Sequence, residues 1–282
     1  SFSMPPRPIH IVKSDGTEEQ FDRGKLLQSL RRAGANEGTA APIVSHVERE
    51  LVSGMSTTDI FKHAFSLLRE KQRHIASRYS LRRSLLALGP TGFPFEKFMG
   101  EIYKRRGFSV LLDQMVPGKC VDHEVDIVAW NDEKLVMVEA KYHHELAYKS
   151  DVKVALYVKA RFDDLYAATH RYGAHTSLTE GWLITNTKFT EKAIQYGTCS
   201  GVRLLGWNYP ERDNLHHLIE AAGLHPITCL TVFSEKEKRT LLEQGIVLCE
   251  SVKTEKAKLR SLGFSDERIA EAEAESSTLC PS

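Results

Sequence analysis

The stretch that decides the fold is HEVDIVAWNDEKLVMVEAK, residues His123–Lys141. It contains two apolar runs, Val125–Trp130 and Leu135–Ala140. Asn131-Asp132-Glu133 separates them, and residues of these types suit a hairpin turn. The stretch therefore predicts two adjacent antiparallel strands.

Three charged residues, Asp126, Glu139 and Lys141, interrupt these apolar runs. Strand side chains alternate between faces, so Glu139 and Lys141 point to the same side of the sheet. Apolar residues occupy both predicted faces, which disfavours the alternative of a solvated salt-bridge trio. Buried charges cost several kcal/mol unless they pair or bind a cation, and a divalent metal is the simplest candidate.

Composition sets limits on the class of protein. The chain has 282 residues, 41% hydrophobic and 27% charged, with a net charge of +1, so no global charge favours nucleic acid. The apolar runs are too short to span a membrane. The polar, proline-rich start lacks the apolar run of a signal peptide, and the five cysteines form no CxxC pair. A cytoplasmic protein without membrane contact is expected.

Residues 4–89 predict a first domain, a β-hairpin followed by four helices. The strands are expected at Ile9–Lys13 and Glu18–Phe21, around an Asp-Gly turn. Apolar residues at helical spacing then mark three helices, and a fourth is predicted over Ile75–Leu88. Gly89–Pro94, with two prolines and two glycines, ends this domain.

The run Lys13–Leu26, KSDGTEEQFDRGKL, resembles the opening of the ATP-cone, the nucleotide-sensing domain of ribonucleotide reductases and a related repressor family. Thr57–Ile60 and Arg78-Tyr79 are similar to later family positions. The resemblance implies that ATP or dATP binds as a regulatory ligand and that the chain forms a homo-oligomer. It also implies a set of nucleotide-binding residues: Lys13, Glu19, Asp22, Lys25 and Thr57.

No GxxxxGK[ST] motif occurs, so the residues indicate binding of a nucleotide without its hydrolysis. Lys25 falls in the first turn of a predicted helix, where the dipole and free amide groups favour anions. The alternative is a degenerate cone that keeps the fold and has lost its ligand.

Residues 93–250 predict a second, α/β domain whose element order is α-β-β-β-α-β-α-β-α. Helices are expected over Phe95–Arg106, Asp151–Tyr172 and Glu211–Ala222. A strand is expected over Phe108–Leu112, before the hairpin. The whole chain is thus predicted to be α+β: a hairpin-plus-helices domain, then a mixed sheet flanked by helices.

This order resembles the PD-(D/E)xK restriction-endonuclease-like superfamily, and within it the Mrr-like branch. Asp126 and Glu139-Ala140-Lys141 match its motif, although Val125 replaces the motif proline. The resemblance implies a DNA endonuclease with Asp126, Glu139, Lys141 and Glu96 as catalytic residues. Asp126, Glu139 and the Ala140 carbonyl would hold Mg²⁺ or Mn²⁺, since such cations prefer oxygen ligands.

Several assignments stay open at this stage. Glu124 has the strand parity of Asp126 and is an alternative to Glu96 as a third acid. The basic residues of the long helix, Arg161 among them, either follow a phosphate backbone or form a charged outer face. Residues 251–282 predict a charged, helical or partly disordered tail. The alternative function is a catalytically silent module that binds nucleic acid or protein under nucleotide control.

Overall fold

The computed structural model describes residues 9–13, 15–72 and 81–279, and its α+β architecture confirms the predicted fold class. A small N-terminal unit precedes a mixed five-stranded sheet with helices on both faces. The N-terminal unit contains β1 (His10–Val12), β2 (Glu18–Gln20), α1 (Arg23–Arg32), α2 (Glu37–Glu50) and α3 (Thr57–Lys71).

Each helix of this unit starts at a polar side chain that accepts a backbone N–H. Asp22 caps α1 at 3.1 Å, Asn36 caps α2 at 3.0 Å and Ser56 caps α3 at 3.0 Å. Such caps satisfy amide groups that the helix leaves free, and each stabilises its helix by about 1 kcal/mol. A separate apolar core, which includes Leu30 and Ile43, holds the three helices together.

The predicted fourth helix divides differently from the expectation. Its first part, including Arg78 and Tyr79, lies outside the described residues, and α4 covers Leu81–Leu86. Leu81, Leu85 and Leu88 are buried in the core of the following sheet and not in the core of the N-terminal helices. The end of the first domain is therefore packed as part of the second.

The strands that follow are β3 (Ser109–Pro117), β4 (Asp122–Trp130), β5 (Leu135–Lys141), β6 (Lys149–Ser150), β7 (Glu180–Thr185), β8 (Lys188–Phe189) and β9 (Arg203–Leu205). The five-stranded sheet has the order β3-β4-β5-β7-β9, antiparallel across the first three strands and parallel from β5 to β9. The strands β6 and β8 form a separate small parallel pair.

Helices cover both faces of this sheet, as the apolar pattern of β5 requires. Val136 and Val138 face a core with α5 (Phe93–Arg105) and α8 (Leu215–Ala222). Leu135 and Met137 face a core with α6 (Val152–Tyr166) and α7 (Glu191–Ser200). Consecutive residues of a strand alternate faces, so burial on both sides leaves little room for uncompensated charge.

Three predicted helix boundaries were wrong, each for a local reason. Helix α5 starts at Phe93, since Pro94 is tolerated in a first turn. Helix α6 ends at Tyr166 and not at Tyr172, because the His170 ring bonds the Leu165 carbonyl that would continue it. Helix α8 starts after Asn214, whose side chain caps it, and not at Glu211.

The segment after the sheet is helical and packs on the same molecule. Its helices are α9 (Glu235–Glu243), α10 (Ser251–Thr254), α11 (Lys256–Ser261) and α12 (Asp266–Leu279). Ile269 and Ala272 of α12 join the core that contains α5. Buried Glu275 accepts bonds from the Thr231 and Val232 amides at 3.0 and 3.1 Å, so α12 holds the preceding loop. Within the described ranges, no helix is long and apolar enough to cross a membrane.

Candidate active site

The strand register of the hairpin brings Asp126 next to Glu139 and Ala140. Ile127 pairs with Val138 and Val128 with Met137. Asp126 Oδ2 accepts the Ala140 amide at 2.6 Å, so the aspartate is fixed to the neighbouring strand. The Asp126 carboxylate therefore lies beside the peptide bond that joins Glu139 to Ala140.

Glu139 is the most deeply placed carboxylate of this group, with only 7% of its surface exposed. Lys141 Nζ lies 2.6 Å from its Oε1, and Arg161 Nη1 lies 2.5 Å from its Oε2. Each carboxylate oxygen thus has its own cation. This double pairing offsets the desolvation of a charge that would otherwise be unfavourable inside the fold.

Arg161 is one of two site residues that the predicted catalytic set leaves out. Of its two open interpretations, the charged outer face was wrong, because the side chain of Arg161 turns inward and is only 15% exposed. Its guanidinium also donates to the backbone carbonyl of Glu124. The sequence shows only that a basic residue lies on the helix after the (D/E)xK strand. Whether the side chain of Arg161 points inward depends on how α6 packs.

The carboxylates carry more negative charge than their neighbours compensate. Burial raises the pKa of Asp126 to about 6, and the charge of Glu139 adds to the effect. Burial also raises the pKa of Glu96 to about 7, with contributions from the charges of Asp126, Asp113 and Glu139. Perturbed acids clustered in this way are typical of functional sites, and a bound cation would lower both pKa values.

Asp113 belongs to this group although sequence analysis passed over it. It lies on β3 between Leu112, which pairs with Ile127, and Gln114, which pairs with Val125. Its φ of 49° is in the left-handed region, where few residues other than glycine are found. Such conformations are common at functional sites, and here Asp113 is left out of the β3–β4 pairing, opposite Asp126.

The oxygen donors fit a hard divalent cation by type. Asp126, Glu139 and the Ala140 carbonyl are the predicted ligands, and Glu96 starts α5 close enough for its pKa to respond to both acids. Among the described residues, Asp126 and Glu139 form no group with a third acidic side chain in which all the ligand atoms lie within 4.8 Å of one another. The side chain of Glu124 is exposed at the edge of the group, and only its carbonyl contacts Arg161.

Four of the five predicted nucleotide-binding residues line one cavity of about 110 Å³ in the N-terminal unit. They are Glu19, Asp22, Lys25 and Thr57, and Phe21 and Phe61 are among the apolar residues of its wall. Sites for drug-sized ligands have volumes of about 300 Å³ or more. A whole nucleoside would thus require the cavity to widen or would lie partly outside it.

Lys13 is not part of the cavity wall but reaches the same glutamate. Glu19 Oε2 lies 2.9 Å from Lys13 Nζ and 3.3 Å from Lys25 Nζ. The hydrogen bond from Lys13 lowers the pKa of Glu19, and Lys25 adds to the shift. One carboxylate therefore pairs with both lysines that the family resemblance assigns to phosphate binding.

Three family models match successive parts of the chain. The family model of the ATP cone domain matches residues 9–87, the restriction endonuclease model matches 89–218, and the model described as AF1548-like, C-terminal, matches 225–280. An uncharacterized protein of Archaeoglobus fulgidus is 36% identical over 178 residues, 63% of this chain and 97% of that protein. The chain belongs to the AF1548-like family.

A solved structure supports the same relationship. The crystal structure of AF1548, a protein of unknown function, is 32% identical, with a TM-score of 0.55, and the match covers 68% of this chain and all of AF1548. This chain joins an ATP cone domain to a restriction endonuclease domain, as its sequence predicted. Restriction endonuclease-like domains typically use divalent metals, and ATP cones typically bind nucleotides.

In this AF1548-like protein, α4, which lies at the end of the part matched by the ATP cone model, contacts the residue after the (D/E)xK motif. Tyr142 follows Lys141 directly, and its hydroxyl donates to the Leu86 carbonyl of α4. Gly89 passes so close that an added Cβ would lie 2.6 Å from the Tyr142 hydroxyl oxygen. Thr228, in the part of the chain that the AF1548-like C-terminal model matches, also donates to the Ser84 carbonyl, at 2.6 Å.

Proposed function

We propose that this AF1548-like protein is a nucleotide-regulated, Mg²⁺-dependent nuclease that hydrolyses phosphodiester bonds of DNA. One observation carries the proposal: buried Glu139 lies between Lys141 and Arg161, and Asp126 accepts a hydrogen bond from the amide of Ala140, the next residue. Two acids and two cations at the end of a buried strand match the charges that phosphoryl transfer requires.

Asp126, Glu139 and the Ala140 carbonyl would hold Mg²⁺ or Mn²⁺, with Glu96 as the nearest additional acid on α5. The cation supplies Lewis-acid polarisation of the phosphate and an acidified water. Lys141 and Arg161 would share their positive charge between Glu139 and the phosphate of the substrate, because both already point at that carboxylate. Asp126 would be largely ionised above pH 7, since its pKa is about 6.

DNA is the proposed substrate because a restriction endonuclease model matches residues 89–218. The net charge of +1 provides no general attraction to a polyanion. A homo-oligomer would place two such sites and their basic side chains on one substrate. The proposal therefore includes self-association, and sedimentation velocity with and without ATP or dATP would reveal both the assembly and any nucleotide-dependent change in it.

A second candidate function is favoured by a specific observation. Both carboxylate oxygens of Glu139 are already paired with cations, and this arrangement would also stabilise a catalytically silent fold that binds nucleic acid or protein. Such a module would keep nucleotide control without cleaving anything.

One experiment separates the two candidates. Full-length protein is incubated with plasmid, linear and single-stranded DNA and with RNA, with Mg²⁺ or chelator, and with ATP, dATP or neither. The nuclease predicts metal-dependent products that disappear in Lys141→Met, while folding measured by circular dichroism is retained. Retarded but intact DNA under every condition would support the silent module, and cleavage that survives in Lys141→Met would contradict the proposed site.

Nucleotide binding by the cone gives a separate prediction. Lys25→Gln is expected to weaken ATP or dATP binding by about 10- to 100-fold, because a charge-assisted bond to phosphate contributes about 1.5–3 kcal/mol. Isothermal titration calorimetry measures the change. Lys62→Gln, at an exposed position of α3 in the same unit, is the matched control for charge. Equal affinities for the two variants would place the phosphate elsewhere.

Tyr142 gives a prediction about communication between the domains. Tyr142→Phe removes the bond to Leu86 but keeps the ring, so nucleotide-free cleavage should stay within about twofold while the response to nucleotide decreases. The ratio of cleavage rates with and without ATP or dATP measures the coupling. An unchanged ratio, with nucleotide still bound, would show that the signal takes another route.

A further inference from the structure

The helices of the cone carry a second cluster of ligand-type side chains, away from both sites described above. His46 and Glu50 lie on α2, and His63 lies on α3. His46 Nε2 is 3.2 Å from Glu50 Oε1, and His63 Nε2 is 2.5 Å from Glu50 Oε2. One atom from each of the three residues falls within 4.8 Å of the others, the only such group among residues 9–13, 15–72 and 81–279.

The backbone holds these three side chains in place. His46 and Glu50 are four residues apart, so they share one face of α2. Val47 of α2 and Ala64 of α3 are next to the histidines in sequence and are buried in one core. The cluster therefore lies on two helices that pack against each other. The entropy cost of ordering its side chains around a ligand would be small.

An ordinary ion pair leaves part of this arrangement unexplained. His63 Nε2 has almost no accessible surface and no hydrogen bond of acceptable geometry, although Glu50 Oε2 is close to it. Two imidazole rings also approach each other, with centroids 5.4 Å apart. A cation between the three residues would accept a lone pair from each imidazole ring. Its positive charge would also pair with the Glu50 carboxylate.

We propose that His46, Glu50 and His63 form a binding site for a divalent transition metal of the zinc class. Two imidazoles and one carboxylate suit Zn²⁺, Co²⁺ or Ni²⁺ and do not suit Mg²⁺, which prefers oxygen ligands. The side chains are 37–51% exposed, which leaves room for water at the remaining position. None of the three lines the nucleotide cavity, so the metal would join α2 to α3 and stabilise the cone.

The test uses full-length protein without a histidine tag, stripped of metal by chelator and then titrated with Zn²⁺. Wild type is expected to bind one more Zn²⁺ per chain than His63→Ala. If the variant still binds this ion, its affinity should be lower by about 100-fold or more. Co²⁺ in the wild-type protein should give the visible absorption of a low-coordinate site, and His63→Ala should lack it. Millimolar Mg²⁺ should not compete.

The chain contains a matched control. His216 and Glu220 form another His–Glu pair four residues apart, also at 3.2 Å, but without a third ligand that completes a group in the described chain. His216→Ala should therefore bind Zn²⁺ like wild type. Glu50→Gln serves as a second site variant if His63→Ala fails to fold by circular dichroism.

Thermal unfolding gives a readout that does not depend on nuclease activity or on nucleotide binding. Zn²⁺ should raise the Tm of wild type and of His216→Ala by more than that of Glu50→Gln or His63→Ala, since these two variants lack the site through which the ion stabilises the cone. Equal Zn²⁺ stoichiometry and affinity in wild type and both site variants would overturn the proposal. So would the absence of any wild-type site tighter than millimolar.

Discussion

Asp126→Asn is expected to abolish cleavage and, at pH 8 without metal, to make the protein more stable. Burial and the charge of Glu139 raise the pKa of Asp126 to about 6. In the unfolded chain the same carboxyl loses its proton near pH 4. Between these values the folded state binds more protons than the unfolded state, so the aspartate lowers the free energy of unfolding as pH rises from about 4 to about 6.

The size of this effect follows from the shift. About two pH units correspond to about 2–3 kcal/mol, and asparagine removes the charge while its oxygen can still accept the Ala140 amide. Urea unfolding of the two proteins should therefore differ by about that amount at pH 8 and by little at pH 4. Mg²⁺ should raise the stability of wild type more than that of the variant, because only the aspartate gains from the cation.

Cleavage gives the second half of this prediction. Loss of a metal-binding carboxylate should lower the rate by about a thousandfold or more. Asp122→Asn, at the exposed start of the same strand, is the control and should change neither property. A variant that is less stable at pH 8 would mean that Asp126 has a structural role, and full activity would mean that another acid binds the metal.

Glu139→Gln is expected to have the opposite effect on stability. It leaves Lys141 and Arg161 beside a neutral amide, and the side chain of Arg161 is only 15% exposed. Removing one member of a buried ion pair costs about 3–5 kcal/mol, and the partial exposure of Lys141 places the expected loss near 3 kcal/mol. Chemical denaturation at pH 7 measures the loss, and cleavage should disappear as well.

A double variant identifies the cause of that loss. Glu139→Gln combined with Arg161→Met should recover part of the stability, because the unpaired guanidinium is then absent. Glu101→Gln is the control, since Glu101 pairs at 2.7 Å with the exposed Lys104 and such pairs contribute less than about 1 kcal/mol. If the double variant is as unstable as the sum of the single ones, Glu139 and Arg161 do not interact in solution.

The two predictions together describe how the site is organised. Removal of Asp126's charge relieves repulsion, whereas removal of Glu139's charge leaves two cations without a partner. The fold therefore stabilises one carboxylate and leaves the other in excess. Both results together would be expected of a site that keeps affinity for a cation at the expense of stability.

The hairpin could be predicted because its information is local. Alternation in β5 places Glu139 and Lys141 on one side, and the turn between the strands brings Asp126 opposite them. Helix starts were predictable where a cap lies in the sequence, as at Ser56. The boundary at Tyr166 was not, because it depends on His170 folding back onto Leu165.

The sequence by itself determined the order of elements, the family resemblance and the charged residues of the hairpin, since strand and helix periodicity are properties of neighbouring residues. Only the tertiary structure decided that Arg161 pairs with Glu139, that Leu85 belongs to the sheet core and that α12 holds the loop at Thr231. These contacts join residues that are distant in the chain. They form because whole helices pack to bury apolar surface, and no short stretch of sequence encodes that packing.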